Sequence, residues 1–200
     1  MESKDLQQLL LEVKQCQVCK AHLPLLPKPV LRVEKEARIL LVGQAPGTRV
    51  HESGKDWDDK SGENLRRWLR VENEVFYDSQ LFAVVPIGLC YPGRGKSGDL
   101  PPRKECAPLW HDKILAHLPN LELIILIGAY AQKYYLGKKR KRTLTETVKA
   151  FRSYLPHYFV LPHPSPRNNI WQRKNPWFVD EVIPELQIKI REIVSKVEDE

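Results

Sequence analysis

The chain has no apolar run long enough to cross a bilayer. Its longest, Leu121 to Ala131, is interrupted by Glu122 and Gly128, whereas a helical span needs about 20 consecutive apolar residues. The opening stretch, MESKDLQQLLLEV, is charged and amphipathic and has no signal-peptide core. These absences predict a cytoplasmic protein with no membrane partner. In that compartment the four cysteines are not expected to form structural disulfides. The chain shows no internal repeat and no domain linker, so its 200 residues read as one domain, 1–200, large enough for a full hydrophobic core. Residues 1–30 form its N-terminal helix and C-x2-C segment, and a monomer is expected. The chain also lacks a complete dinucleotide fingerprint and a P-loop lysine, which argues against those two modes of phosphate binding.

What is present begins with charge. The net charge of +7 and pI near 9.2 favour an acidic partner such as nucleic acid, though many basic proteins bind nothing anionic. Leu6, Leu9, Leu10 and Val13 recur at helical spacing. A C-x2-C pair, Cys16 and Cys19, and the Pro-rich connector LPLLPKPV follow. Four apolar runs read as buried strands: Ala37–Val42, Leu81–Val85, Leu121–Ile127 and Tyr158–Leu161. Helices are expected over Asn64–Arg70, from Cys106 to Leu118, from Gly128 to Leu136, and from Val179 to Lys196. Strands alternating with helices predict a three-layer α/β/α fold around a central four-stranded parallel sheet. Ligands of such sheets bind at the carboxyl ends of the strands, where GQAPG, GLCYPG and HPSPRN all fall.

GQAPG (Gly43, Gln44, Ala45, Pro46, Gly47) is a glycine-rich turn that can bring backbone amides close to a ligand. Alone it also fits any strand-to-helix turn. In LPHPSPRNNIW, His163 stands between Pro162 and Pro164 at the end of a strand. Fixed proline dihedrals would preorganise a hydrogen-bond donor there, although a lone histidine is more often structural.

Taken together, GQAPG after the first strand and HPSPRN after the last resemble motifs A and B of the uracil-DNA glycosylase superfamily. The likeness covers nearly the whole chain and is closest to the iron–sulfur families 4 and 5. HPSPRN also resembles motif B of the single-strand-selective monofunctional type. LIILIGAYAQKYYLG resembles the family's strand-Gly-Ala-helix stretch. Cys16, Cys19, Cys90 and Cys106 resemble the family's cluster pattern, a C-x2-C pair followed by a wider pair. The resemblance implies a [4Fe–4S] cluster of structural role, for which thiolates are suited. The wide second pair argues against a zinc ribbon.

The resemblance implies a DNA-repair enzyme that extrudes a damaged base and hydrolyses its N-glycosidic bond. It makes His163 the donor to the departing base, acting as neutral imidazole. Gly43, Ala45, Pro46 and Gly47 would shape the pocket, and Gln44 would position water. Aligned with the family's stacking aromatic is Trp57, in GKDWDDKSG, whose flanking aspartates argue against deep burial. Ser165, Arg167 and Asn168 are implied as DNA contacts, with Arg167, Ile170 or Trp171 as a wedge in the duplex. The run KKRKR at 138–142, with Arg94, Lys96, Arg103 and Lys104, supplies candidate phosphate contacts.

Two positions depart from the families' pattern. Gln44 stands where family 4 has a glutamate and cannot be a general base; Asp56, Asp58, Asp59 or His51 are candidate substitutes. Pro86 stands where families 4 and 5 read uracil with an asparagine, and it has neither a side-chain donor nor acceptor. The readings left open are uracil, another deaminated base, and a member that binds DNA or a nucleobase without cleaving.

Overall fold

The computed structural model describes residues 5–96 and 98–198. Four strands form its central sheet. Strand β1 (Ile39–Val42) is buried at all four positions. It pairs in parallel with β2 (Phe82–Val84), Ile39 opposite Phe82. The short strands β3 (Arg94–Gly95) and β4 (Gly98–Asp99) form a separate antiparallel hairpin. Strand β5 (Leu123–Ile127) lies on the other side of β1, with Ile39 opposite Leu123, and carries β6 (Tyr158–Leu161) at its far edge. The order is β2-β1-β5-β6, all parallel. Strands covered by helices on both faces must be apolar on both, which explains the runs ILLV and LIILI.

Strands β1, β2 and β5 are shorter than their apolar runs in the sequence, whereas β6 spans the whole of its run. Leu121 and Glu122, for example, precede β5 because the Glu122 amide donates to the Arg38 carbonyl at a turn. The Pro-rich connector has a structural use: Val30 and Arg32 lie along the outer side of β2, with amide bonds to Leu89 and Val84. That contact covers an edge strand otherwise open to pairing.

The helical layers follow from amphipathic spacing. Helix α1 (Leu6–Lys14) buries Leu6, Leu9 and Val13. Helix α2 (Thr48–Ser53) follows the GQAPG turn, and α3 (Lys60–Leu69) buries Leu65, Trp68 and Leu69. A single turn, α4 (Asn73–Phe76), precedes β2. Helix α5 (Cys106–Leu115) packs on α1, and α6 (Ala129–Leu136) returns along β5. Helices α7 (Leu144–Lys149) and α8 (Asn169–Lys174) flank β6 in sequence. The last expected helix is a π-turn over Phe178–Val182 leading into α9 (Ile183–Glu198), which packs on α3. None of the helices among the described residues is long and apolar enough to cross a membrane.

Candidate active site and a second, thiol-lined cavity

A cavity of about 360 Å³ opens at the carboxyl ends of the strands. Of the residues singled out in the sequence, Gly43, Gln44, Ala45, Pro46, Gly47, Trp57, Pro86, His163, Ser165 and Arg167 all line it. The loop after β1 is anchored to the loop after β2: the Gly43 carbonyl accepts from the Ile87 amide (3.0 Å) and the Gln44 carbonyl from the Gly88 amide (2.9 Å).

Trp57 is held at a positive φ of 52°, rare for a bulky residue. Its surroundings impose that conformation. A Cβ on Gly62 would lie 1.8 Å from the Trp57 carbonyl oxygen, and one on Gly43 would lie 3.0 Å from the indole ring. Both glycines are therefore needed for close approach. Next to Trp57, Asp56 is buried and accepts two bonds from the Arg32 guanidinium, at 3.0 and 3.1 Å. On the other side Asp59 caps α3 by accepting from the Gly62 amide at 2.8 Å. The run of aspartates is thus partly inside, and Trp57 itself is half-buried. Its ring centre stands 6.0 Å from that of His163 at an interplanar angle of 36°.

The turn around His163 is braced as its prolines suggest, and side chains complete it. Asn168 donates to the His163 carbonyl at 2.7 Å, and Asn64 to the Pro164 carbonyl at 2.8 Å. The Ser165 amide donates to His163 Nδ1 at 3.2 Å. That bond places the lone pair on Nδ1, so the neutral ring carries its proton on Nε2 and can donate from there. His163 keeps some solvent contact through the cavity, yet the protein enclosing its ring pushes its pKa below the ordinary 6.5, against the opposing charges of Asp59 and Asp99. The site therefore favours a neutral donor.

The structure assigns other work to several candidates. The Gln44 amide donates to the Leu100 carbonyl at 3.3 Å, tying the β1 loop to the end of β4. Asn168 is occupied by the His163 turn and is not among the cavity-lining residues. Trp171 is held by a 2.9 Å bond from its Nε1 to Thr145 and by edge contacts with Trp177 and Phe178, so it does not form a free wedge; Ile170 is exposed. Pro86 has its carbonyl 3.0 Å from Nε2 of the fully buried His111, whose Nδ1 lies 2.7 Å from the Tyr135 hydroxyl. The one polar group of Pro86 is thus turned into a buried network. Of the substitutes considered for an acid in the β1 loop, Asp56 is paired with Arg32, Asp58 with Arg49, and Asp59 caps α3.

The run 138–142 sits away from this cavity. Helix α6 starts beside His163, since a Cβ on Gly128 would lie 3.8 Å from the His163 Cβ, and it runs back to the amino end of the sheet. There the Tyr154 hydroxyl donates to the Lys139 carbonyl just before β6. The cations that do line the cavity are Arg94 and Arg167. Arg94, Gly98 and Asp99 come from the β3–β4 hairpin, which sequence reading treats as a basic loop. The signal available was its paired glycines, Gly95 and Gly98, around a tight reversal.

Cys16, Cys19, Cys90 and Cys106 line a second, smaller cavity together with Arg103 and Trp110. Helix α5 begins at Cys106, and the Leu89 amide donates to the Cys106 sulfur at 3.3 Å. Burial pushes the Cys90 thiol up to about 11 and the Cys106 thiol up to about 12. Arg103 Nε and Trp110 Nε1 are buried donors without a hydrogen-bond partner among the described residues. Among the described residues, no group of three or more His, Cys, Asp or Glu side chains stands at metal-holding distance. The thiols thus share a wall without converging on a point.

The family model described as the uracil DNA glycosylase superfamily matches residues 32–187, from the connector that covers β2 into α9.

Proposed function

Because the chain belongs to the uracil DNA glycosylase superfamily, we propose that it hydrolyses the N-glycosidic bond of a deaminated base in DNA. The observation that carries this reading is the neutral His163, with Nδ1 held by the Ser165 amide and its ring 6.0 Å from Trp57 in one cavity. Stacking on Trp57 holds an extruded base with little dependence on its identity. As the glycosidic bond breaks, negative charge grows on the base, and the Nε2–H of His163 donates to it. That donation strengthens toward the transition state, which is what acceleration requires. Arg94 and Arg167 at the cavity wall serve the phosphates.

Uracil is not the favoured base. Pro86 offers the cavity wall no side-chain polar group, and its carbonyl is engaged by His111. A wall of Val30, Val84 and Pro86 suits recognition by shape and stacking, as for a deaminated purine. The test is a panel of DNAs containing uracil, hypoxanthine or xanthine, with abasic product measured. Release of hypoxanthine or xanthine ahead of uracil is expected. No abasic product from any of them, with the fold intact, would leave a binding protein without catalysis in its place.

The four cysteines are proposed to hold an iron–sulfur cluster. What supports this is that all four thiols line one cavity, beside the Nε–H of Arg103 and the Nε1–H of Trp110, whose lack of partners among the described residues suits sulfur acceptors. A bound cluster would tie the segment after α1 to the loop after β2 and to the start of α5. Broad visible absorbance that disappears in Cys16→Ser supports it; stoichiometric zinc without iron would overturn it.

A further inference from the structure

We infer that Asp99, at the end of β4, is the carboxylate that faces the sugar and takes the proton of the attacking water; the inference rests on the bond-cleavage reading above. The β1 loop has no acid, since Gln44 stands there. Yet the Gln44 side chain donates to the carbonyl of Leu100, the residue next to Asp99. The position that lacks a carboxylate therefore anchors the strand end that carries one.

Three further observations converge on Asp99. It lines the same cavity as His163 and Trp57. A Cβ on Gly47 would lie 3.5 Å from its Oδ2, so the absence of a side chain at 47 leaves the carboxylate open toward the β1 loop. Pairing of Arg94 with Asp99 across the hairpin fixes the backbone that presents it.

The competing carboxylates are committed elsewhere. Asp56 spends both oxygens on Arg32, and Asp59 uses Oδ1 to cap α3. The Asp99 side chain makes no hydrogen bond or ion pair with any described residue, and the residue is solvent-exposed. It is open to water, as a base must be.

The step balances as a hydrolysis. The water oxygen bonds to C1′ while the C1′–N bond breaks. The bonding pair leaves with the base, whose oxygen meets the Nε2–H of His163. The water proton passes to Asp99 and then to solvent, and solvent protonates the released base.

The test compares Asp99→Asn with Asp58→Asn in the full chain, using two readouts; Asp58 is paired with Arg49 and does not line the cavity. In single-turnover release of the base, Asp99→Asn is expected to fall about 100-fold with DNA binding and melting temperature unchanged, and Asp58→Asn to stay within a few-fold. In binding, DNA with a cationic pyrrolidine in place of the sugar is expected to bind about tenfold more tightly than DNA with neutral tetrahydrofuran. Asp99→Asn should abolish that preference and Asp58→Asn should keep it. An unchanged rate or an unchanged preference in Asp99→Asn overturns the assignment. If the unaltered protein releases no base, the cleavage reading fails separately. The binding preference then still decides whether Asp99 faces the sugar: its loss in Asp99→Asn supports the placement, and its absence from the unaltered protein overturns it.

Discussion

The two cavities are built in opposite ways. The larger one is shaped mainly by backbone: glycines without side chains at 43 and 62, prolines around His163, and amide bonds locking the β1 and β2 loops together. Its geometry is complete in the polypeptide alone, and His163 has its tautomer set by a main-chain amide. The smaller one is defined by side-chain chemistry. The Cys90 and Cys106 thiols are pushed toward the protonated form by burial, and the Arg103 Nε and Trp110 Nε1 donors beside them lack acceptors among the described residues. Preorganised dipoles need no partner to be in place, whereas thiolates become stable in such surroundings only with a compensating positive centre. On the functions proposed for them, one cavity takes a substrate and the other a permanent occupant.

The largest expected effect separates them directly. His163→Ala should lower base release by about 10²–10³-fold while leaving visible absorbance and melting temperature unchanged. Cys106→Ser reverses the pattern. It should abolish the absorbance and lower the melting temperature, and any residual release should keep the base preference of the unaltered protein. Absorbance lost in His163→Ala would show that the two cavities are coupled.

Next in size is the support behind Trp57. Arg32→Met removes both hydrogen bonds to the buried Asp56 carboxylate and should cost about 3 kcal/mol in denaturant unfolding. Smaller again is the effect of acid. His163 and His111 both have folded pKa values below the ordinary 6.5 because of burial. The unfolded chain then takes up protons first as pH falls. The stability from keeping these rings neutral is full above 6.5 and is lost as pH drops through 6.5 toward the lower folded values. Melting temperature against pH should bend there, and His111→Gln should reduce the bend. The smallest effect concerns phosphates. Arg94→Ala and Arg167→Ala should each reduce the salt dependence of DNA binding by about one unit of slope. Neutralising Lys138 to Arg142, at the other end of the sheet, should change it less.

Much of the fold was legible because burial on both faces leaves a plain mark in the sequence. The runs ILLV, LIILI and YFVL are strands at the positions their apolar patterns indicate. The ends were less legible, since hydrogen bonds such as Glu122 to Arg38 set them. Short elements such as α4, α8 and the β3–β4 hairpin carry too few residues for a period to show. Within the site, residue types with restricted backbones announced themselves: the glycines and prolines of GQAPG and HPSPRN. Asp99 did not, because nothing in YPGRGKSGDLPPRK distinguishes an acid that faces a cavity from one that faces solvent. Trp171 misled for the complementary reason. Its place in a polar loop resembled exposure, while Thr145, Trp177 and Phe178 enclose it.

The sequence by itself determined the parallel α/β sheet, the two loops that flank the larger cavity, the histidine and tryptophan within it, and the cysteine set. All of these rest on local backbone limits or on periodicity along one chain. Only the tertiary structure decided which aspartates are free, which nitrogen of His163 carries the proton, that Pro86 turns its carbonyl inward, and that the basic run lies away from the cavity. Those depend on atoms dozens of residues apart meeting within hydrogen-bond distance, and no local pattern encodes such meetings.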